Sequence, residues 1–208
     1  VEDAPYSELR FAGEPLPSLK SFAQRGTVIH LGTFSKILSP GLRLAWVVAP
    51  GWFAKPLNIL KSSADLHTST FTQMVAAEYL AGADLDAHLA RIREIYRQRR
   101  DVMVQALERE MPAEVRFTRP EGGLFLWVEL PARLDARELL PCALARNVAF
   151  VPGGSFWARG GGDHTLRLNY SNMPPERIEE GVRRLGEVVR EALANADSPS
   201  AVSARAVR

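Results

Sequence analysis

The sequence predicts an α/β protein built as two layers joined by a long helix. Three observations predict it. Short runs rich in β-branched and aromatic residues, bounded by glycine and proline, read as strands. Between them lie segments with apolar residues at helical spacing, the longest at 84–111. Beyond that helix the pattern turns to short strands with helices against them, a compact α/β layer.

Taken in order, "VEDAPYSELRF" reads as the end of a buried strand running into a loop. "GTVIHLGTF" (26–34) and "LRLAWVVAP" (42–50) read as strands, and their near-continuous apolarity suggests a sheet covered on both faces. "GWFAKPLNILKSS" reads as a helix with Pro56 in its first turn or kinking it. "TSTFTQMVAAEYLAG" carries a capping-box pattern, Thr70 to Gln73, and ends at Gly82. In the long helix Leu85, Leu89, Ile92, Tyr96, Met103, Leu107 and Met111 form one stripe among arginines and glutamates. Its length suits a spine between two domains, which divides the chain into 1–83, 84–194 and a small, polar tail at 195–208 expected to be disordered. The second part contains "VRF", "GLFLWVEL", a helix over "DARELLPCALARN", "VAFVP", "HTLRLNYS" and a last helix opened by Pro174 and Pro175.

Composition excludes several classes. The 208 residues carry a net charge of +2 with the basic residues dispersed, so nucleic-acid binding through this segment gains no support. The single cysteine, Cys142, rules out an internal disulfide framework, and the four histidines show no metal-ligand spacing. No signal peptide and no membrane-length apolar run occur, which points to a cytoplasmic protein.

Only four lysines occur, and Lys36 stands in an otherwise apolar segment, "GTFSKILSPGLRLAW". Lysine, unlike arginine, can lose its proton once desolvated and attack a carbonyl. Asp3 and Tyr6 form a D-x-x-Y pair, Thr33 and Ser35 precede the lysine, Arg43 follows it by seven residues, and Arg167 interrupts the apolar run "TLRLNY". These are the residue types a pyridoxal-phosphate site needs. They supply an amine for the aldehyde, a carboxylate for the pyridine nitrogen and a hydroxyl for the ring phenolate. Hydroxyls and a guanidinium suit the phosphate, and a second guanidinium suits a carboxylate. Each also has a plainer reading. Asp3 and Tyr6 suit a polar loop, Arg43 a surface ion pair, and Arg167 an outward-facing strand position between Leu166 and Leu168. The pairs Gly122-Gly123 and Gly153-Gly154 read as turns, and Phe125 and Trp127 as core.

The stretches "EDAPYSELRF", "GTFSKILSPGLRLAWVVAP", "DLHTSTFTQ", "RPEGGLFLWVELP", "FVPGGSFW" and "TLRLNYS" occur in the order found in one family. The chain resembles the C-terminal half of a fold-type-I pyridoxal-phosphate aminotransferase of class I/II, within the group of 2-aminoadipate aminotransferases and MocR-type regulators. The resemblance implies a partial transferase fold: a remnant of the large cofactor domain, a linking helix and a small C-terminal α/β domain. It implies pyridoxal 5'-phosphate as cofactor, with Lys36 as the Schiff-base lysine, Asp3 at the pyridine nitrogen and Tyr6 at the phenolic oxygen. Thr33, Ser35 and Arg43 would hold the phosphate, and Arg167 the substrate carboxylate. Thr68 and Ser69 would approach a neighbouring subunit's phosphate site, in a homodimer. The function implied is amino-group transfer between an L-amino acid and a 2-oxo acid, with no metal. The alternative is the aminotransferase-like effector domain of a MocR-type transcription regulator.

Relatives carry an N-terminal half ahead of the D-x-x-Y pair. The expectation is therefore that these 208 residues are a fragment, whether a truncated gene product, a split domain or the C-terminal part of a longer polypeptide, and that alone they have little or no aminotransferase activity.

Overall fold

The computed structural model describes residues 1–23 and 26–198. It divides into two compact units, one formed by Val1–Glu94 with Glu121–Gly123, the other by Ile95–Pro120 with the chain from Leu124 onward.

The first unit holds a three-stranded sheet ordered β1 (Glu2–Asp3), β2 (His30–Thr33), β3 (Ala45–Val48). β1 and β2 run parallel and β3 is antiparallel to β2. α1 (Gly51–Asp65), α2 (Thr70–Gly82) and the start of α3 (Leu85–Glu110) follow. Three expectations need correction here. The sheet is not covered on both faces: all four residues of β3 are exposed. α1 buries no side chain and α2 buries only Ala76, so neither helix supplies a covering layer. Of the two places expected for Pro56, the first turn is ruled out: it lies in the second turn of α1, which runs on past it to Asp65. A proline there removes one N–H donor, a loss the remaining ladder tolerates. Finally, α2 is capped at Ser69 and not at Thr70, and Ser69 makes no side-chain cap. Gln73 turns away and donates from Nε2 to the Thr68 carbonyl at 2.8 Å.

The second unit is the densely buried one. β4 (Arg116–Phe117), β5 (Phe125–Glu129), β7 (Thr165–Asn169) and β6 (Val151–Pro152) form an antiparallel sheet in that order. Register pairs Leu126 with Leu168 and Val128 with Leu166, and all four are buried, which makes this the core face. α4 (Ala136–Ala145) begins at Asp135, whose Oδ1 accepts the Arg137 N–H at 2.7 Å, the expected N-cap bond. α5 (Pro175–Ala196) buries Ile178, Val182, Leu185, Val189 and Leu193, one stripe at helical spacing. On its polar side Glu180 receives Arg183 and Arg184, which hold its carboxyl down at about 2. The tail expected from 195 begins inside α5, and residues 199–208 lie outside the described residues.

α3 carries the expected stripe. Leu89 is buried within the first unit, and Met103 and Leu107 within the second. Among the described residues no helix is long and apolar enough to cross a membrane.

Candidate active site

In parallel β1 and β2, Glu2 lies opposite His30 and Asp3 opposite Leu31. Register partners share a face and successive residues switch faces. Asp3, Leu31 and Thr33 therefore project to one side, and Glu2, His30 and Gly32 to the other. Asp3 and Thr33 both end their strands, and the carboxyl ends of strands are where open α/β sheets bind ligands.

The chain leaves β2 through a turn over residues 35–38, closed by the Leu38 and Ser39 N–H groups on the Phe34 carbonyl at 2.8 and 3.1 Å. Thr33 Oγ1 anchors it. This hydroxyl donates to the Leu44 carbonyl at 3.0 Å, accepts the Ser35 N–H at 3.1 Å, and lies 3.0 Å from Ser35 Oγ. Lys36 follows, half-buried, and no hydrogen bond or ion pair to its amine is found among the described residues. The same holds for the Asp3 carboxylate, which is exposed.

Arg43 closes a single 3-10 turn, Pro40–Leu42, in the left-handed conformation at φ 53° and ψ 38°. A side chain other than glycine's costs about 1 kcal/mol there. Its Nη1 donates to the Pro40 carbonyl at 3.1 Å, and the residue is exposed. Tyr6 is half-buried at the start of the 3-10 turn Ser7–Leu9. Behind the lysine turn Trp46 lies across Gly32, where an added Cβ would stand 2.2 Å from the indole; only glycine permits that approach.

Six of the seven residues expected at the site, Asp3, Tyr6, Thr33, Ser35, Lys36 and Arg43, lie in the first unit. Arg167 belongs to the second. It stands on the outer face of β7, opposite Trp127 of β5 and Val151 of β6. Its guanidinium carbon lies 4.0 Å from the centre of the Phe125 ring and 4.7 Å from that of Phe156. No carboxylate or carbonyl pairs with it among the described residues. Arg133, Arg146 and Arg183, by contrast, are all ion-paired. Phe125 and Trp127 are half-buried on this face and not in the core, because the core positions of β5 fall to Leu126 and Val128. The glycine pairs are also more than turns. At Gly122 a Cβ would lie 2.8 Å from Arg10 Cα, so bare backbone is needed where it bridges Arg10.

Two supporting groups carry no signal in the sequence pattern. Glu2 accepts from Ser18 Oγ at 2.7 Å and the Leu19 N–H at 2.7 Å, and meets His30 Nδ1 at 3.0 Å. The His30 contact, then the Ser18 hydroxyl, hold its carboxyl at about 2. His88 of α3 reaches the lysine turn, with Nε2 2.9 Å from the Ile37 carbonyl and Nδ1 3.2 Å from Arg91 Nη2. A carbonyl can only accept, so Nε2 carries the proton. Contacts across 28 and 51 residues depend on register and packing, and no local spacing announces them.

The aminotransferase class I and II family matches residues 3–185. Aromatic-amino-acid aminotransferase 1 of Thermococcus litoralis is 47% identical over 193 residues, covering 93% of this chain and 46% of that protein. The solved structure of LysN, an α-aminoadipate aminotransferase from Thermus thermophilus, was obtained in complex with N-(5'-phosphopyridoxyl)-L-leucine. It superposes with a TM-score of 0.89 at 49% identity, covering 93% of this chain and 50% of that one. More distant is YdcR of Escherichia coli, described as an uncharacterized HTH-type transcriptional regulator, at 39% identity over 93% of this chain and 41% of its own length. The chain thus spans about half the length of the relatives it matches. With the lysine turn, the D-x-x-Y pair and the α/β architecture in place, the family match over most of its length makes this chain a member of the class I and II aminotransferases.

Proposed function

We propose that the protein to which this chain belongs is a pyridoxal-phosphate-dependent aminotransferase, moving an amino group between an L-amino acid and a 2-oxo acid. The observation that carries this reading is Lys36. Lys36 is half-buried, its amine has no partner among the described residues, and it stands in a turn anchored by Thr33, at the carboxyl end of a strand parallel to the one bearing Asp3. A lysine kept only for charge would gain by pairing with an acid.

The donor set fits the cofactor. Thr33 and Ser35 present paired hydroxyls and Arg43 an exposed guanidinium, residue types suited to the several acceptor oxygens of a phosphate. The Asp3 carboxylate, without a partner among the described residues, suits a protonated ring nitrogen, and Tyr6 a phenolate oxygen. When bound, the cofactor supplies the electrophilic carbon that takes the amino group and the ring that accepts electrons from the substrate's α-carbon. Lys36 Nζ would hold the cofactor covalently and, once displaced by the substrate's amine, carry the proton from and to the α-carbon. Arg167 would grip the α-carboxylate with two parallel N–H bonds, fixing the direction of the α-C–H bond. The active form is proposed to be a homodimer.

A second reading is favoured by the likeness to YdcR: an effector domain that binds the cofactor and signals without sustained turnover. One experiment tests both. The natural gene product carrying this chain is reduced with borohydride and mapped by mass, then assayed for transfer to 2-oxoglutarate. A pyridoxyl adduct on Lys36, lost in Lys36→Ala, with turnover, supports the enzyme. The adduct without turnover supports the regulator. No adduct overturns both.

A further inference from the structure

Arg167 has an arrangement that the carboxylate role does not require by itself. Three elements meet on it: β5 contributes Phe125 and Trp127, β7 the arginine, and the 3-10 turn Gly153–Phe156 after β6 contributes Phe156. The guanidinium carbon lies over two aromatic rings, at 4.0 Å from Phe125 and 4.7 Å from Phe156. Phe156 is itself held edge-on against Trp127, with ring centres 5.7 Å apart and planes at 75°. Trp127 is the cross-strand partner of Arg167, so the arginine's neighbour on the sheet braces the ring that contacts it.

A guanidinium has two π faces and a rim of five N–H donors. An aromatic ring packed against it carries no lone pair and offers its N–H groups at most a weak N–H···π contact. Acids placed here would pair with the rim and hold it. The rings therefore restrict the side chain's rotation and exclude water from it without neutralising its charge or taking up its strong N–H bonds. Cutting the ordering cost of a binding group in this way raises its affinity for a ligand.

We propose that Phe125 and Phe156 are positioning residues that set the Arg167 guanidinium for a monocarboxylate ligand, the α-carboxylate of the amino acid and of the 2-oxo acid. The proposal rests on the reading of Arg167 as the carboxylate-binding arginine, and its test separates the two. The natural gene product loaded with pyridoxal phosphate is titrated with two probes, butanoate, which has a carboxylate and no amine, and butylamine, which has the reverse. Phe156→Leu, at a half-exposed position that tolerates the change, keeps the apolar bulk and removes the ring. It weakens butanoate binding, and raises KM for both amino donor and 2-oxo acid, by about three- to tenfold, the range of a cation–π contact. kcat stays within about twofold of wild type, since the contact serves ground and transition state alike. Butylamine affinity is unchanged. Phe125→Leu acts in the same direction, and Phe156→Tyr, which keeps the ring, binds butanoate as wild type does. If the leucine variants bind butanoate normally while Arg167→Gln loses it, the positioning role is overturned and the carboxylate role stands. Equal weakening of butylamine would reduce the rings to a structural role and overturn the proposal. Normal butanoate binding by Arg167→Gln would overturn both readings.

Discussion

Arg43 adopts a backbone conformation that favours glycine, at φ 53°, and closes the turn after Lys36 with it. Strain of this kind persists where the side chain serves a purpose, and the inference runs from the observed outlier to the function. Arg43→Gly separates the two effects. The backbone is relieved while the unfolded chain gains entropy, so the free energy of unfolding changes by less than about 1 kcal/mol. Affinity for pyridoxal phosphate falls about ten- to a hundredfold, the scale of hydrogen bonds to a charged group. Affinity for pyridoxal, which lacks the phosphate, stays level; fluorescence titration of the gene product with both compounds measures the contrast. At the other face of the strands Glu2 gives a pH signature. Its carboxyl is lowered from 4.5 to about 2, by His30 first and Ser18 next. A depressed pKa adds stability that is complete above 4.5 and is lost as pH falls through about 2. Glu2→Gln should therefore unfold at lower urea than wild type at pH 5, and the gap should close as pH approaches 2. A gap constant across that window would show that the Glu2 contacts do not hold the charged form.

At the scale of elements, what the sequence made legible and what it hid follow from the range of the forces involved. α3 and α5 were readable because their apolar stripes repeat every three or four residues and the same residues are buried, Met103 and Leu107 in one, Ile178 through Leu193 in the other. β7 was readable by alternation, which assigned Leu166 and Leu168 inward and Arg167 outward, as found. The assignment of Phe125 and Trp127 to the core failed for one reason. Hydrophobicity cannot say which face of a strand is covered, and on this face the rings pack on an arginine. The capping box over Thr70 to Gln73 failed by one residue, because the cap is decided by where the backbone leaves the helix, at Ser69. Asp3, Tyr6, Thr33, Ser35, Lys36, Arg43 and Arg167 were nameable from residue type and order. Their supports, His88 under the lysine turn and Phe156 beside Arg167, became visible only once strands and helices were paired.

Over the whole molecule burial is divided unevenly. Among the described residues only Leu9, Ile37, Leu44, Ala76 and Leu89 of the first unit are buried apolar side chains, whereas the second unit holds the remaining core. The first unit leaves Trp52 70% and Phe71 75% exposed, with Ile59, Leu60 and Met74 comparably open. Apolar side chains left open in this way are of the kind that another protein surface covers. It also costs the unit the burial that would oppose chain entropy. Expressed as these 208 residues alone, the chain should therefore be stable in one half and loose in the other. Hydrogen exchange followed by mass spectrometry reads this directly. Amides of β5, β7 and α5 should be protected to the level of global unfolding. Those of β2, β3, α1 and α2 should exchange at least about a hundredfold faster, through local opening. Adding the dye ANS should raise fluorescence in proportion to the chain, and size-exclusion should show association that grows with concentration. Protection shared equally by both units in a chain that stays monomeric would contradict the prediction, because it would mean that the first unit holds its strands and helices without covering its apolar faces.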